Sequence, residues 1–333
     1  MVFTTLIARR CLSSTITRRC AVQVLAGNVS TSSSSSSIRY IVANNTSNGV
    51  IRSFSSLPPP PTATPPGIPL EPPTSLTPEA GLGAQDAMKL FIQHGLGKQK
   101  LRQIVAEKNN LPLVERWQKM IQTYLETQCH VISLLGYKPD ETGIGLYSQH
   151  LTQAMQTSAP DVQEKLRVAG RDTYRMVLAG AFDIPNLLEE QEKNGELSVV
   201  DARNIMHKVS LRMQEPEILE KVAKECASTM KALNDSKEAK QIEIANKHTV
   251  VQRIMVTDVY LKQDGADGVS LVQECGFGEG EEGYIRMQSV LAEHQGDPLI
   301  NQYVGSAMVK LLQSAGIDMG ELKEAAQGQV KQQ

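Results

Sequence analysis

From Met1 to Leu70 the chain has neither aspartate nor glutamate, and its first acid is Glu71. The only charges on that stretch are Arg9, Arg10, Arg18, Arg19, Arg39 and Arg52, set among serines and threonines such as Ser32 to Ser37. This excludes an ordinary mixed-charge surface and matches the composition of an organelle-targeting presequence. A secretory signal is excluded as well, because the apolar run VFTTLIA is short and its positive charge follows it. The expected address is the mitochondrial matrix, with a plastid as the alternative. Phe3, Leu6, Ile7 and Leu12 can share one face of a short helix flanked by arginines, which suits an anionic membrane surface and a receptor groove.

Other scarcities narrow the class. No uninterrupted apolar run reaches the roughly 18 residues of a membrane span, so no transmembrane segment is expected. Of five cysteines only Cys129, Cys226 and Cys275 lie beyond residue 54. Odd in number and far apart, they suit reduced thiols better than a disulfide framework. Aromatics are 4% of the chain and β-branched alternation is short, which leaves little material for sheets. No stripe of lysine and arginine gathers beyond the leader, so no nucleic acid gripped through its phosphates is expected as a partner.

What is present begins with IRSFSSLPPPPTATPPG, Ile51 to Gly67. IRSF followed by SS resembles the processing junction of mitochondrial presequences. Arg52 stands just ahead of the cut, Phe54 is the last residue removed and Ser55 the first retained. Losing residues 1–54 removes six arginines and no acid, which leaves 279 residues and takes the formal charge from −2 to −8. Ten prolines between Pro58 and Pro78 prevent helix and central strand, since proline lacks the N–H and restricts the residue before it. Residues 55–78 are therefore an extended tether.

The remainder has helical periodicity and predicts an all-α fold. Leu101, Ile104, Val105 and Lys108 follow the 3.6 spacing, as do Met120, Ile121, Tyr124 and Leu125, and again Val162, Leu166, Ala169, Thr173 and Val177. Start signals stand at Pro112, Pro160-Asp161, Ser198 before Asp201, Pro216 and Pro298. TVVQRIMVTDVYL, Thr249 to Leu261, is the one segment where a strand competes. Helix is preferred because Val250, Ile254, Thr257 and Leu261 would make one face.

The chain also repeats. GYKPDETGI at Gly136 resembles GFGEGEEGY at Gly276, each a Gly-aromatic pair followed by a second glycine, Gly143 and Gly283. VAEKNN at Val105 resembles VAKECA at Val222, and Asp86-Ala87 resembles Asp201-Ala202. These offsets divide the chain into a helical unit at 79–186, a charged connection at 187–196, a second unit at 197–316 and a tail at 317–333. Gly136 and Gly276 are placed as helix-ending residues with left-handed backbone, and Tyr137 and Phe277 as the apolar residues that fold back on the helix. Packing is their expected role, with contact to a partner as the alternative. Tyr137→Ala and Phe277→Ala should then cost alike, Gly276→Val should be destabilising through φ strain, and alanine at Gly143, expected merely to precede a helix, should cost less.

The second unit carries LSVVDARNIM, AKECASTMKAL, GFGEGEEGYIRMQSVL and GDPLINQYVGSAMVKLL. With these segments it resembles the short helical protein family called C-ten. The first unit resembles a more diverged copy, best at WQKMIQTYL and GYKPDETGIGLY. The resemblance implies a helical fold and no assigned activity.

Candidate chemistry is sparse. Glu126 and His130 stand four apart beside Cys129 and supply at most half a metal site. DGADGVSLVQE from Asp264 lacks the ligands and turn glycine of a calcium loop, and GFGEGEEG carries Glu279, Glu281 and Glu282 where phosphate would sit. Cys129 and His130 are neighbours whose side chains diverge on a helix. No catalytic residue, cofactor or metal is expected. The functional expectation is a non-catalytic helical interaction or assembly protein with protein partners in an organelle complex. The alternative is an enzyme or small-ligand carrier with a pocket between the two units.

Overall fold

The computed structural model describes residues 73–184, 187, 189, 197–229, 237–263, 268–294 and 296–317. The expected leader with Arg52, Phe54 and Ser55, most of the expected tether, residues 188 and 190–196 of the expected connection and the expected tail beyond Ile317 lie outside the described residues.

Among the described residues eleven α-helices follow in order: α1 Pro78–His94, α2 Leu96–Ala106, α3 Leu113–Leu134, α4 Glu141–Thr157, α5 Pro160–Phe182, α6 Val199–Met213, α7 Pro216–Ala227, α8 Lys237–Ile254, α9 Leu271–Glu274, α10 Gly280–Leu291 and α11 Pro298–Ser314. A π-helical turn, Met255–Tyr260, continues α8. No strand occurs among the described residues, and no helix there is long and apolar enough to cross a membrane. The all-α expectation therefore holds.

The starts follow from local chemistry. Pro160, Pro216 and Pro298 occupy first helical positions, where the missing N–H costs nothing, and Pro112 immediately precedes α3. The Ser198 hydroxyl accepts from the Asp201 amide at 3.1 Å, and the Asp297 carboxylate accepts from the amides of Leu299 and Ile300 at 3.1 Å each.

The halves α1–α5 and α6–α11 pack in the same order. Helix α1 lies on α5 and α2 contacts both α5 and α3; likewise α6 lies on α11 and α7 contacts both α11 and α8. Helix α5 also packs on α10, so the halves touch. One large core runs through both, from Leu101, Met120 and Leu178 to Met213, Ile254, Met287 and Leu311. A smaller core under α1, α3 and α4 holds Met88, Ile132, Tyr137, Ile144 and Tyr147.

The two Gly-aromatic turns share one geometry. Gly136 and Gly276 have φ of 86° and 83°. The Tyr137 amide donates to the Ile132 carbonyl and the Phe277 amide to the Val272 carbonyl, both at 3.1 Å, while each glycine amide donates three residues back. This is the Schellman closure. The second glycines are equivalent too. A Cβ on Gly143 would stand 1.9 Å from the carbonyl oxygen of Lys138, and one on Gly283 would stand 2.6 Å from that of Gly278. In each half the backbone two residues past the turn glycine presses on the next helix.

Several readings are corrected. Gly143 is the third residue of α4, not a residue ahead of it. In Thr249 to Leu261 the buried apolar positions are Val251, Ile254, Val256, Val259 and Tyr260, with Val250 and Leu261 partly buried against the core; Thr257 is exposed, because the π turn shifts the register after Ile254. Lys108 lies past the end of α2. Leu187, assigned to the charged connection, is fully buried in the large core, and Ile317, assigned to the tail, is buried as well. Tyr137 is buried with its hydroxyl 3.0 Å from His150 Nδ1, whereas Phe277 is only partly covered, so the two truncations are not equivalent.

Gly143→Ala must therefore displace backbone and should cost about 3 kcal/mol. Gly276→Ala, with nothing near its Cβ, strains only φ and should cost about 1 kcal/mol. Urea midpoints check this ranking, and equal costs would remove the close approach.

Candidate functional site

Helix α3 enters the second half by its first turn. Leu113 and Val114 are buried there, and Trp117 stands between the rings of Phe182 and Tyr284, each centroid 5.7 Å away. Tyr284 in turn meets Tyr260 edge-on at 5.1 Å. Beside this row Arg116 is 2% exposed. Its Nε donates to the Leu111 carbonyl at 3.2 Å, its Nη2 pairs with Glu281, and its guanidinium lies 5.6 Å from the Phe182 ring centre.

A cavity of about 160 Å³ opens beside the aromatic row. Leu113, Val114 and Trp117 of α3 close one side. Helix α8 and its π turn supply His248, Val251, Gln252, Met255, Val256 and Tyr260. Continued as an α-helix at about 100° per residue, the chain would carry Tyr260 off the stripe set by His248, Gln252 and Met255. The wider turn, closed by the Leu261 amide on the Val256 carbonyl at 3.1 Å, brings it back. Ile300, Asn301, Val304 and Met308 of α11 line another wall.

No lining residue carries a formal charge. Gln252 is engaged, accepting from Gln118 at 3.0 Å, and Gln288 is hydrogen-bonded to Tyr260. His248 is 93% buried, and no described residue hydrogen-bonds its ring; the Tyr284 hydroxyl and the Asn301 side chain have no described side-chain partner either. Burial pushes the His248 ring down to about 4, so it is neutral at pH 7. Burial likewise raises Tyr260 to about 12 and Tyr284 further, so both hydroxyls keep their protons. The arrangement can hold a small uncharged molecule with one or two polar atoms.

None of the residues singled out by motif lines this cavity. Gly136, Tyr137, Gly143, Gly276, Phe277 and Gly283 form the helix junctions described above. Glu126 accepts from Gln122 at 3.0 Å and pairs with Lys100, while exposed His130 rests on Phe91 at 5.0 Å, so no half-site assembles. Among the described residues no group of three or more His, Cys, Asp or Glu side chains could hold a metal. Sequence reasoning missed His248 and Trp117; the signal at hand was the mixed helix-strand character of Thr249 to Leu261, which is where the π turn falls. No family model matches the chain, and no curated protein or solved structure matches it.

The neutral His248 ring makes stability pH-dependent. In the unfolded chain the ring titrates near its ordinary 6.5, so between that value and about 4 only the unfolded state takes up the proton. The contribution is fully present above about pH 6.5 and is lost as pH falls to about 4, up to about 3 kcal/mol. Urea midpoints should fall more steeply over this window in the parent than in His248→Gln. Parallel slopes would mean that the ring titrates normally.

Proposed function

We propose that this chain is a non-catalytic binding protein that takes a small, uncharged, largely apolar molecule in the cavity between its two halves. The observation that carries this reading is His248, neutral and without a hydrogen-bond partner among the described residues, in a cavity whose described lining has no formal charge. Such a combination suits recognition, since a few polar groups in an otherwise apolar cavity fix the orientation of a guest. Trp117, the only tryptophan of the chain, reports occupancy through its emission. A library of uncharged fragments should contain members that shift this emission and raise the melting temperature. Val304→Phe, which fills the cavity, should abolish both responses while the protein stays folded. A library without a single hit would remove the reading.

A second reading, assembly with a protein partner in an organelle complex, is favoured by the outer face of α6. Val200 and Leu211 are 58% and 55% exposed, and at eleven residues apart they fall on one side of the helix. His207 between them meets Tyr303 of α11 at 5.0 Å. An exposed apolar ridge of this kind suits a partner surface. The acid-free leader supports a mitochondrial address, and the shared turn geometry supports descent of the halves from one duplicated C-ten-like unit. Protein recovered from mitochondria should begin at Ser55 and migrate in a larger assembly that Leu211→Glu disperses. An intact Met1 would sink the import reading, and migration as a single chain the assembly reading.

A further inference from the structure

The lining of the cavity says more about its ligand than its apolar character. Three aromatic residues, Trp117, Tyr260 and Tyr284, and three methionines, Met206, Met255 and Met308, line it. Sulfur and ring edges both favour a flat aromatic guest over an aliphatic one of equal size. At about 160 Å³ the space is that of a single ring, since an apolar cavity of about 150 Å³ accepts benzene.

Polar capacity is equally limited. Gln252 and Gln288 already have partners, and of the remaining polar side chains in the lining, His248, Tyr284 and Asn301, the buried His248 ring is the one with both a free acceptor nitrogen and an N–H donor on a rigid ring. Neutral imidazole offers one acceptor nitrogen and one N–H donor, so it matches a hydroxyl, which is itself both donor and acceptor. A carboxylate or an ammonium would have to be buried without a counter-charge, because no lining residue supplies one. Resting on the reading of the cavity as a binding site, the geometry points to a monocyclic phenol as the ligand class, its ring held by Trp117 and the methionines and its hydroxyl hydrogen-bonded to His248.

The test titrates the full chain with phenol, benzene, benzoate and benzylamine, following Trp117 emission and calorimetry. Phenol should bind about fivefold more tightly than benzene, the share of one net hydrogen bond. Benzoate and benzylamine should not bind at pH 7. In His248→Leu the hydroxyl is buried without a partner, so phenol should weaken about tenfold or more while benzene changes by no more than about twofold. In the parent, ring ¹⁵N resonances of His248 should move with phenol and stay in place with benzene, a readout that needs no variant. Benzene binding as well as phenol, or phenol unaffected by His248→Leu, overturns the phenol assignment and leaves the cavity reading standing. Failure of both neutral probes overturns the two together.

Discussion

The contact on which the rest of this structure depends is the insertion of Trp117 between Phe182 and Tyr284. One ring belongs to the first half and the other to the second, so the indole joins what the helix order separates. Aromatic pairs at these centroid distances contribute about 1 kcal/mol each beyond the area they bury. The first turn of α3 brings Arg116 with it, and the guanidinium is tolerated in the seam because Glu281, the Leu111 carbonyl and the Phe182 ring surround it. A charge so buried is costly if any partner is lost. Glu281 stands in the first turn of α10, where a carboxylate also suits the helix dipole.

A cavity next to such a well-filled seam runs against close packing, which interiors otherwise approach. One irregularity lines it, the π turn at Met255–Tyr260. That turn widens the helix, carries Tyr260 to the seam and turns Asp258 the other way, where Lys221 meets it at 2.5 Å and Thr257 at 2.6 Å. Irregular turns of this kind persist where something besides stability is served. Restoring regular helix would move His248 and Tyr260 to different faces and divide the polar lining.

Elsewhere the structure is held by ion pairs at helix ends. Arg203 donates to the Asp297 carboxylate at 3.1 and 2.7 Å and, with the amides of Ile300 and Leu299, holds that carboxyl at about 2. Arg167 and the buried Arg175 both reach Glu293 beyond the end of α10. These pairs hold α11 and the C-terminal end of α10, two of the elements that line the cavity.

Much of the fold was legible because its causes are local. Prolines at first helical positions, the Ser198 cap and the 3.6 spacing of Leu166, Ala169, Thr173 and Val177 act over a few residues, and so they can be read in one dimension. The turn glycines Gly136 and Gly276 belong to the same class. Gly143 and Gly283 do not: their constraint is a carbonyl oxygen of another segment, and an alanine looks acceptable until that oxygen is in place. The site was illegible for the same reason. His248, Trp117 and Asn301 sit on three helices far apart in the chain, and nothing in their own neighbourhoods distinguishes them. By itself the sequence determined an all-α chain with these helix ends, since capping and periodicity need only near neighbours. Tertiary structure alone decided that the halves share a core around Trp117, that α8 yields to a π turn and that a neutral histidine faces a cavity, because each depends on which surfaces meet once the helices pack.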